Sequence, residues 1–156
     1  MAIVQAICTS FKDELVKGTH NFSSNTFKLA LYAEEANLGS STTVYTAASN
    51  PASPDTYEVS NSGTGYSEGG VALTGASITS DGTTVIIDFD NAEWAVSSAQ
   101  TLTARGALLY NDTDSSDKSV AVLNFGIDRT VSDGTFTVKF PTPDKLDGFI
   151  RIVSSG

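Results

Sequence analysis

The sequence predicts an all-β protein, an antiparallel β-sandwich or jelly-roll-like domain with a short N-terminal helix. Apolar and polar residues alternate in several short segments after Gly18, as they do in strands with one buried face. Polar connectors rich in Gly, Ser and Asp separate these segments, as turns do. A chain of 156 residues, 40% of them hydrophobic, can bury the core of one domain. We therefore expect residues 1–18 to form an N-terminal segment and residues 19–156 to form a single β-sandwich domain.

An apolar segment opens the chain and has two interpretations. Ile3, Val4 and Ile7 form an apolar patch in "MAIVQAIC". This patch either packs on the chain's own core or reaches another subunit as an arm. The run from Ala2 to Cys8 is too short to span a bilayer, and no basic residue precedes it as in a signal peptide. We expect no membrane partner.

A short helix is predicted directly after this patch. Thr9 or Ser10 is a suitable N-cap, because a hydroxyl oxygen can accept a hydrogen bond from a free backbone N–H group. Phe11 and Leu15 are four residues apart and therefore share one helix face, which favours anchoring to the core. Gly18 is well placed to end the helix in a left-handed conformation.

Several later segments carry the strand pattern. In "TFKLALY", Phe27, Leu29 and Leu31 fall on one face. The segments "TLTARGALLYND" and "KSVAVLNFG" predict two apolar strands joined by a hairpin loop at residues 112–117. The remaining strand segments are "TTVIIDFD", "GTFTVKFP" and "GFIRIV". Trp94 follows one of them and fits either the core or an interface.

Two short repeats predict turns. Ser80-Asp81-Gly82-Thr83 and Ser132-Asp133-Gly134-Thr135 each precede an alternating segment. Asp-Gly supplies the positive φ that tight hairpin turns require. Both repeats therefore favour hairpins.

Charge and cysteine content exclude several classes. The chain has 18 acidic and 9 basic residues, for a net charge of -9. No basic cluster offsets this charge, so we expect no nucleic-acid partner. Cys8 is the single cysteine, which rules out a disulfide within the chain.

Sequence motifs offer little chemistry. Residues 65–69 match the nucleophile-elbow pattern G-x-S-x-G, but no apolar strand precedes them and no helix pattern follows. The only histidine, His20, lies upstream of Ser67. Asp112, Asp114 and Asp117 could gather around calcium, although a solvated turn is the commoner explanation. We expect no catalytic residue, cofactor or metal site, and no enzyme activity.

Four blocks of the sequence carry a family resemblance. "MAIVQAICTSFKDEL", "TARGALLYN", "VAVLNFG" and "GTFTVKFP" resemble small virion structural proteins of tailed bacteriophages. The resemblance implies a disulfide-free component that is made in the host cytoplasm and located in the virion. It implies no catalytic residues.

Two structural roles remain open under this resemblance. One is a capsid decoration (cement) protein that binds the major capsid protein, as a homo-oligomer with a trimer favoured. The other is a neck, tail or fibre-associated module, in which Tyr45, Tyr57 and Tyr66 of the long connector would contact a host surface. A calcium- or sugar-binding module is a third, less favoured class.

Inter-subunit contacts are expected at a small set of residues. Arg105 lies inside an apolar strand and needs a carboxylate partner, either within the subunit or across an interface. The residues predicted to contact another subunit are Ile3, Val4, Ile7, Phe11 and Arg105.

Overall fold

The computed structural model describes residues 2–47 and 56–154. It confirms an all-β fold with one short helix. The elements are β1 Ala6–Ile7, α1 Thr9–Val16, β2 Phe27–Tyr32, β3 Val71–Ala72, β4 Ser77–Asp81, β5 Thr84–Asp88, β6 Ala92–Val96, β7 Leu102–Asn111, β8 Lys118–Val131, β9 Gly134–Val138 and β10 Ile150–Ile152. Part of the long connector, residues 48–55, lies outside the described residues.

The strands form three antiparallel sheets around one core. A five-stranded sheet has the order β1-β8-β7-β2-β3, a three-stranded sheet the order β10-β5-β4, and β6 pairs with β9. Buried side chains from all three sheets, among them Leu29, Trp94 and Ile150, belong to one cluster. This arrangement is sandwich-like, because facing sheets share the apolar interior. Trp94 lies in that core.

The β7–β8 hairpin is the longest ladder of the fold and confirms its prediction. It joins Leu102–Val131 at one end to Asn111–Lys118 at the other, and residues 112–117 form the loop. β2 pairs along β7 from Phe27–Asn111 to Tyr32–Gly106. The centre of the sheet is buried on both faces, which accounts for the nearly continuous apolar run in β7.

The two Asp-Gly repeats behave differently in the structure. Asp81 pairs with Thr84, and Gly82 has a φ of 62°, so the first repeat closes the predicted β4–β5 hairpin. The second repeat makes a turn but no hairpin, because β8 stays paired with β7 while β9 pairs with β6. The prediction of a second hairpin is therefore wrong. The chain changes sheets at Ser132–Asp133.

The start of α1 differs from the prediction. The helix begins at Thr9, and Cys8 occupies the N-cap position without a side-chain hydrogen bond. The N–H of Cys8 donates to the carbonyl of Val120, and the N–H of Thr9 donates to the carbonyl of Ser40. These two bonds tie the start of the helix to β8 and to the loop at Ser40, so Thr9 and Ser10 lie inside the helix rather than at its N-cap, and capping by either hydroxyl is not used.

The rest of the helix follows the sequence pattern. Phe11 is buried and Leu15 packs against the core, so the shared face is the inward one. Gly18 has a φ of 77° just after the helix, as expected of a residue that ends it.

The N-terminal segment forms one edge of the chain's own sheet. β1 pairs with Ala121 and Val122 of β8. The N–H of Val4 donates to the carbonyl of Leu38. The side chain of Ile3 packs over Gly106, where an added Cβ would lie 2.9 Å from its Cγ2. Residues 1–18 are therefore integrated into the fold as far as they are described, rather than held away from it as an arm.

We expect Ile3→Ala to lower the free energy of unfolding by about 2–4 kcal/mol, because it leaves a cavity over β7. Ile3 is 6% exposed, whereas its neighbour Val4 is 57% exposed. Val4→Ala is therefore the matched control, with an expected change within about 0.5 kcal/mol. Urea unfolding followed by circular dichroism measures both. Equal small losses in the two variants would contradict the integrated placement.

Candidate functional site

The apolar residues predicted to contact another subunit occupy different environments. Ile3 and Phe11 are buried within their own chain. Val4 is exposed and Ile7 is half-buried. Of these four side chains, only Val4 and Ile7 present surface that a second molecule can reach. Contact with another subunit stays a prediction.

Arg105 finds its carboxylate partners within its own chain. Its Nε lies 2.8 Å from Asp128 Oδ1, and its terminal guanidinium nitrogen lies 3.2 Å from Glu34 Oε1. Asp128 is on β8, opposite Arg105, and Glu34 follows β2. The expectation of a carboxylate partner is confirmed, and the partners lie within the same chain rather than across an interface.

The pair between Arg105 and Asp128 spans a large β-bulge. Residues 125–128 of β8 oppose the single residue Arg105, since Ala104 pairs with Arg129 and Gly106 pairs with Asn124. Gly126 has a φ of 80°, which suits a bulge. The ion pair therefore links β7 to the bulge of β8, at the point where β8 departs from a regular strand.

An open groove of about 950 Å³ runs beside this bulge. β8 and β9 diverge from the turn at Ser132–Asp133 into different sheets, and the space between them is the groove. β1 lines one end, and residues 147–149 and Arg151 line another part. The groove exists because the second Asp-Gly turn does not close a hairpin.

The groove concentrates partly buried apolar side chains. In the described part of the chain, twelve apolar residues pack against the core while remaining partly exposed, and six of them line this groove. The six are Ile7, Leu123, Phe125, Val131, Phe140 and Phe149. Phe125 also lies against Phe136 at a ring-centroid distance of 6.3 Å, so the bulge places an aromatic ring in the groove. Such a concentration is typical of a binding surface.

Basic side chains surround this apolar floor. Arg129, Lys139 and Arg151 line the groove and are exposed, with Asp147 the one acidic lining residue. None of the three basic residues forms an ion pair with another described residue. The groove therefore has a local positive charge on a chain with a net charge of -9.

A second polar feature lies at the opposite edge of the five-stranded sheet. Glu58 is 1% exposed and accepts hydrogen bonds from three donors among the described residues. Tyr66 Oη donates to it at 2.6 Å, the backbone N–H of Gly69 at 2.7 Å and Tyr45 Oη at 2.9 Å. Tyr110 Oη in turn donates to the carbonyl of Gly69 at 2.8 Å.

This Glu58 network corrects the expectation for the connector tyrosines. Tyr45 and Tyr66 are buried, so they do not present contact surface to a host. Tyr57 is partly buried and packs against the core. Instead of forming an exposed contact surface, Tyr45 and Tyr66 hold the connector against the sheet through Glu58. One signal in the sequence indicates this buried carboxylate. In "TYEVS", Glu58 stands between Tyr57 and Val59, so a charged residue interrupts a strand-like pattern.

The possible chemical motifs are not assembled in the structure. Residues 65–69 lie outside the helix and the strands, and Ser67 is exposed. The ring nitrogens of His20 face Glu14 at 3.0 Å and Asn111 at 3.2 Å. Ser67 and His20 therefore do not form a pair.

The Asp112–Asp117 loop uses its carboxylates locally. Asp112 pairs with Lys28 at 2.9 Å, and Asp114 accepts from the backbone N–H of Ser116. Burial raises the pKa of the Asp117 carboxyl, and the charge of Asp112 adds to this effect. Among residues 2–47 and 56–154, no three or more Cys, His, Asp or Glu side chains are grouped to hold a metal ion.

Comparisons with known proteins give no relative. No family model, curated protein or solved structure matches this chain. Within the described part of the chain, no helix has the length and apolar character needed to cross a membrane.

We expect Glu58→Gln to lower the free energy of unfolding by about 2–3 kcal/mol, because charge-assisted hydrogen bonds from two hydroxyls and one amide are weakened in a buried site. Glu68→Gln is the matched control, since Glu68 is exposed and should change stability by less than about 0.5 kcal/mol. Thermal and urea unfolding measure the difference. Indistinguishable stabilities would remove the structural importance assigned to the Glu58 network.

Stability should also fall in alkali. Burial raises the pKa of Tyr32, Tyr45, Tyr66 and Tyr110 above the ordinary value of about 10. The charge of Glu58 adds to the rise in pKa for the first three, and the charges of Asp112, Asp117 and Glu58 add to it for Tyr110. Above about pH 10, the unfolded state releases phenol protons that the folded state keeps. The contribution of these tyrosines to the free energy of unfolding is therefore complete below about pH 10 and is lost as the pH rises further.

A combined titration checks this expectation. Tyrosinate absorbance near 295 nm and the circular dichroism of the strands are recorded on the same samples above pH 9. We expect most tyrosinate absorbance to appear together with the loss of strand signal. Full tyrosine ionisation in a protein that keeps its strand signal would contradict the buried network.

Proposed function

We propose that this protein is a structural component of a tailed-bacteriophage particle, a decoration (cement) protein that binds the assembled capsid shell. The resemblance of four sequence blocks to virion structural proteins gives the class. The groove between β8 and β9 is the observation that favours binding to another protein over chemistry. It combines half-covered apolar side chains with three basic side chains that form no ion pair with another described residue.

The thermodynamic role of such a protein follows from repetition. Each copy contributes a modest binding free energy wherever it contacts the shell. Many symmetric copies add these contributions, which oppose the outward pressure of packaged DNA. A folded β body whose connector and N-terminal segment are both held to the five-stranded sheet suits this role, because binding then costs little conformational entropy.

The alternative role, a neck, tail or fibre module that contacts a host, loses its main support. It depended on exposed tyrosines in the connector. Tyr45 and Tyr66 are buried with Glu58, and their hydroxyls are already used within the chain. The decoration role needs no exposed aromatic loop and is therefore preferred.

Cryo-electron microscopy of purified particles tests this proposal. The copy number per particle, relative to the shell protein, is measured by quantitative mass spectrometry on the same particles. We expect repeated density for this protein over the icosahedral shell and a copy number that scales with the shell lattice. The local symmetry of the density tests the trimer directly.

Two results would overturn the proposal. Density confined to the portal vertex or tail, with a low copy number, would replace decoration by the alternative role. Absence from particles that otherwise contain their full set of proteins would remove the virion role itself.

A further inference from the structure

We propose that the groove accepts an extended segment of the shell protein as an additional β-strand, with carboxylate side chains directed to the basic rim. Naming the shell protein as the partner rests on the proposed function. The mode of binding rests on the structure of the groove alone. It has three parts: open strand edges, an apolar floor and local charge.

The backbone argument begins with β9. Among the described residues, β9 pairs with β6 alone, so its other edge carries N–H and C=O groups without a strand partner, and residues of β9 line the groove. Three of its five residues, Phe136–Val138, line the groove, and with the adjoining Lys139 and Phe140 they form a run that spans about 17 Å at the rise of an antiparallel strand. An exposed edge of this length is a template for strand addition.

The facing edge of β8 is also partly open. β1 covers β8 only at Ala121 and Val122, and Asn124 is held by Gln5 and Ile3. Beyond Asn124, the outer edge of β8 makes no backbone pairing with another described residue. An incoming strand would continue the line that β1 begins. The chain itself thus uses this edge for strand pairing up to Asn124, and the bulge at residues 125–128 interrupts it beyond that point, so the pairing bonds of an incoming strand come mainly from β9.

The floor favours a strand with apolar residues at alternate positions. A strand bound along β9 directs every second side chain to the same face. On that face it meets Phe125, Val131 and Phe140, which the rest of the chain leaves half-covered. Burial of this apolar surface supplies the main driving force.

The rim selects for negative charge. Arg129, Lys139 and Arg151 are exposed, lack ion-pair partners among the described residues and surround the same groove. A segment with Asp or Glu at positions that face the rim would form ion pairs with these basic side chains. A basic segment would be repelled locally, which gives selectivity as well as faster association.

The experiment uses fluorescein-labelled synthetic peptides of about ten residues, long enough for the β9 edge, that tile the shell protein of the imaged particle. A second arm screens a random library of similar peptides on the same purified protein, and its result does not depend on the particle. Binding is followed by peptide anisotropy and by the fluorescence of Trp94. Trp94 reports on the groove because its ring lies 6.0 Å from that of Phe136, a groove residue.

Matched charge variants locate the binding site. Lys139→Glu reverses a charge on the rim, and Lys12→Glu makes the same change on α1, away from the groove. Both residues are exposed, and both variants lower the net charge equally. We expect Lys139→Glu to weaken peptide binding about threefold to tenfold and Lys12→Glu to leave it nearly unchanged.

Backbone pairing has its own test. The best peptide is compared with a copy that is N-methylated at alternate residues on its pairing edge, which blocks strand hydrogen bonds but keeps the side chains. We expect at least a tenfold loss of affinity, because several pairing bonds are lost together. Amide hydrogen exchange should slow in β9 on binding of the unmodified peptide and stay unchanged with the methylated copy.

Several results would overturn the inference. Equal weakening by Lys139→Glu and Lys12→Glu would move binding away from the groove. Unchanged affinity of the methylated peptide would exclude strand addition. Absence of binders in both arms, or dimers of this chain that occupy the groove in light scattering and hydrogen exchange, would remove the proposed occupant. If library peptides bind as expected while shell peptides do not, the shell protein is excluded as the partner, and the particle images decide the function separately.

Discussion

The hydrogen bonds to the buried carboxylate of Glu58 are the interaction on which the outer edge of the large sheet depends. Three donors converge on this group from the connector and from Tyr45. They hold the returning chain against β2, where the N–H of Val59 donates to the carbonyl of Leu31. Gly70 then packs so closely on Leu29 that a side chain at this position would collide with the strand. A buried charge would be costly without these donors, so the connector and the charge stabilise each other.

The two edges of the five-stranded sheet therefore differ in character. The edge at β2 is covered by the fastened connector and by β3. The edge at β8 is covered for a short distance by β1 and then opens into the groove. Arg105 is important at this second edge, because its pair with Asp128 holds the bulge that carries Phe125. The Glu58 network closes the edge at β2, and the Arg105–Asp128 pair supports the bulge beside the groove.

The sequence predicts the parts of this fold whose burial is local and periodic. The alternating large apolar residues of β2 and the long apolar runs of β7 and β8 leave a readable pattern, since each of these strands has a neighbour on each side. The repeat at Asp133–Gly134 predicts a turn correctly but not its partner strands, because pairing is decided by distant residues in β6 and β7. Glu58 looks like a solvated charge in the sequence, since its donors Tyr66, Gly69 and Tyr45 stand 8, 11 and 13 positions away along the chain. The groove has no local signal, because it is the space between strands that separate.

The groove also has a consequence for the isolated protein. Unpaired strand edges beside an apolar surface are the features through which like molecules aggregate. The net charge of -9 keeps copies apart at long range, but this repulsion fades beyond about 10 Å at 0.1 M salt. The bulge at residues 125–128 interrupts one edge and limits regular pairing there. Solubility of the free protein should therefore decline as salt rises or as its carboxylates are protonated, even where the fold itself is intact.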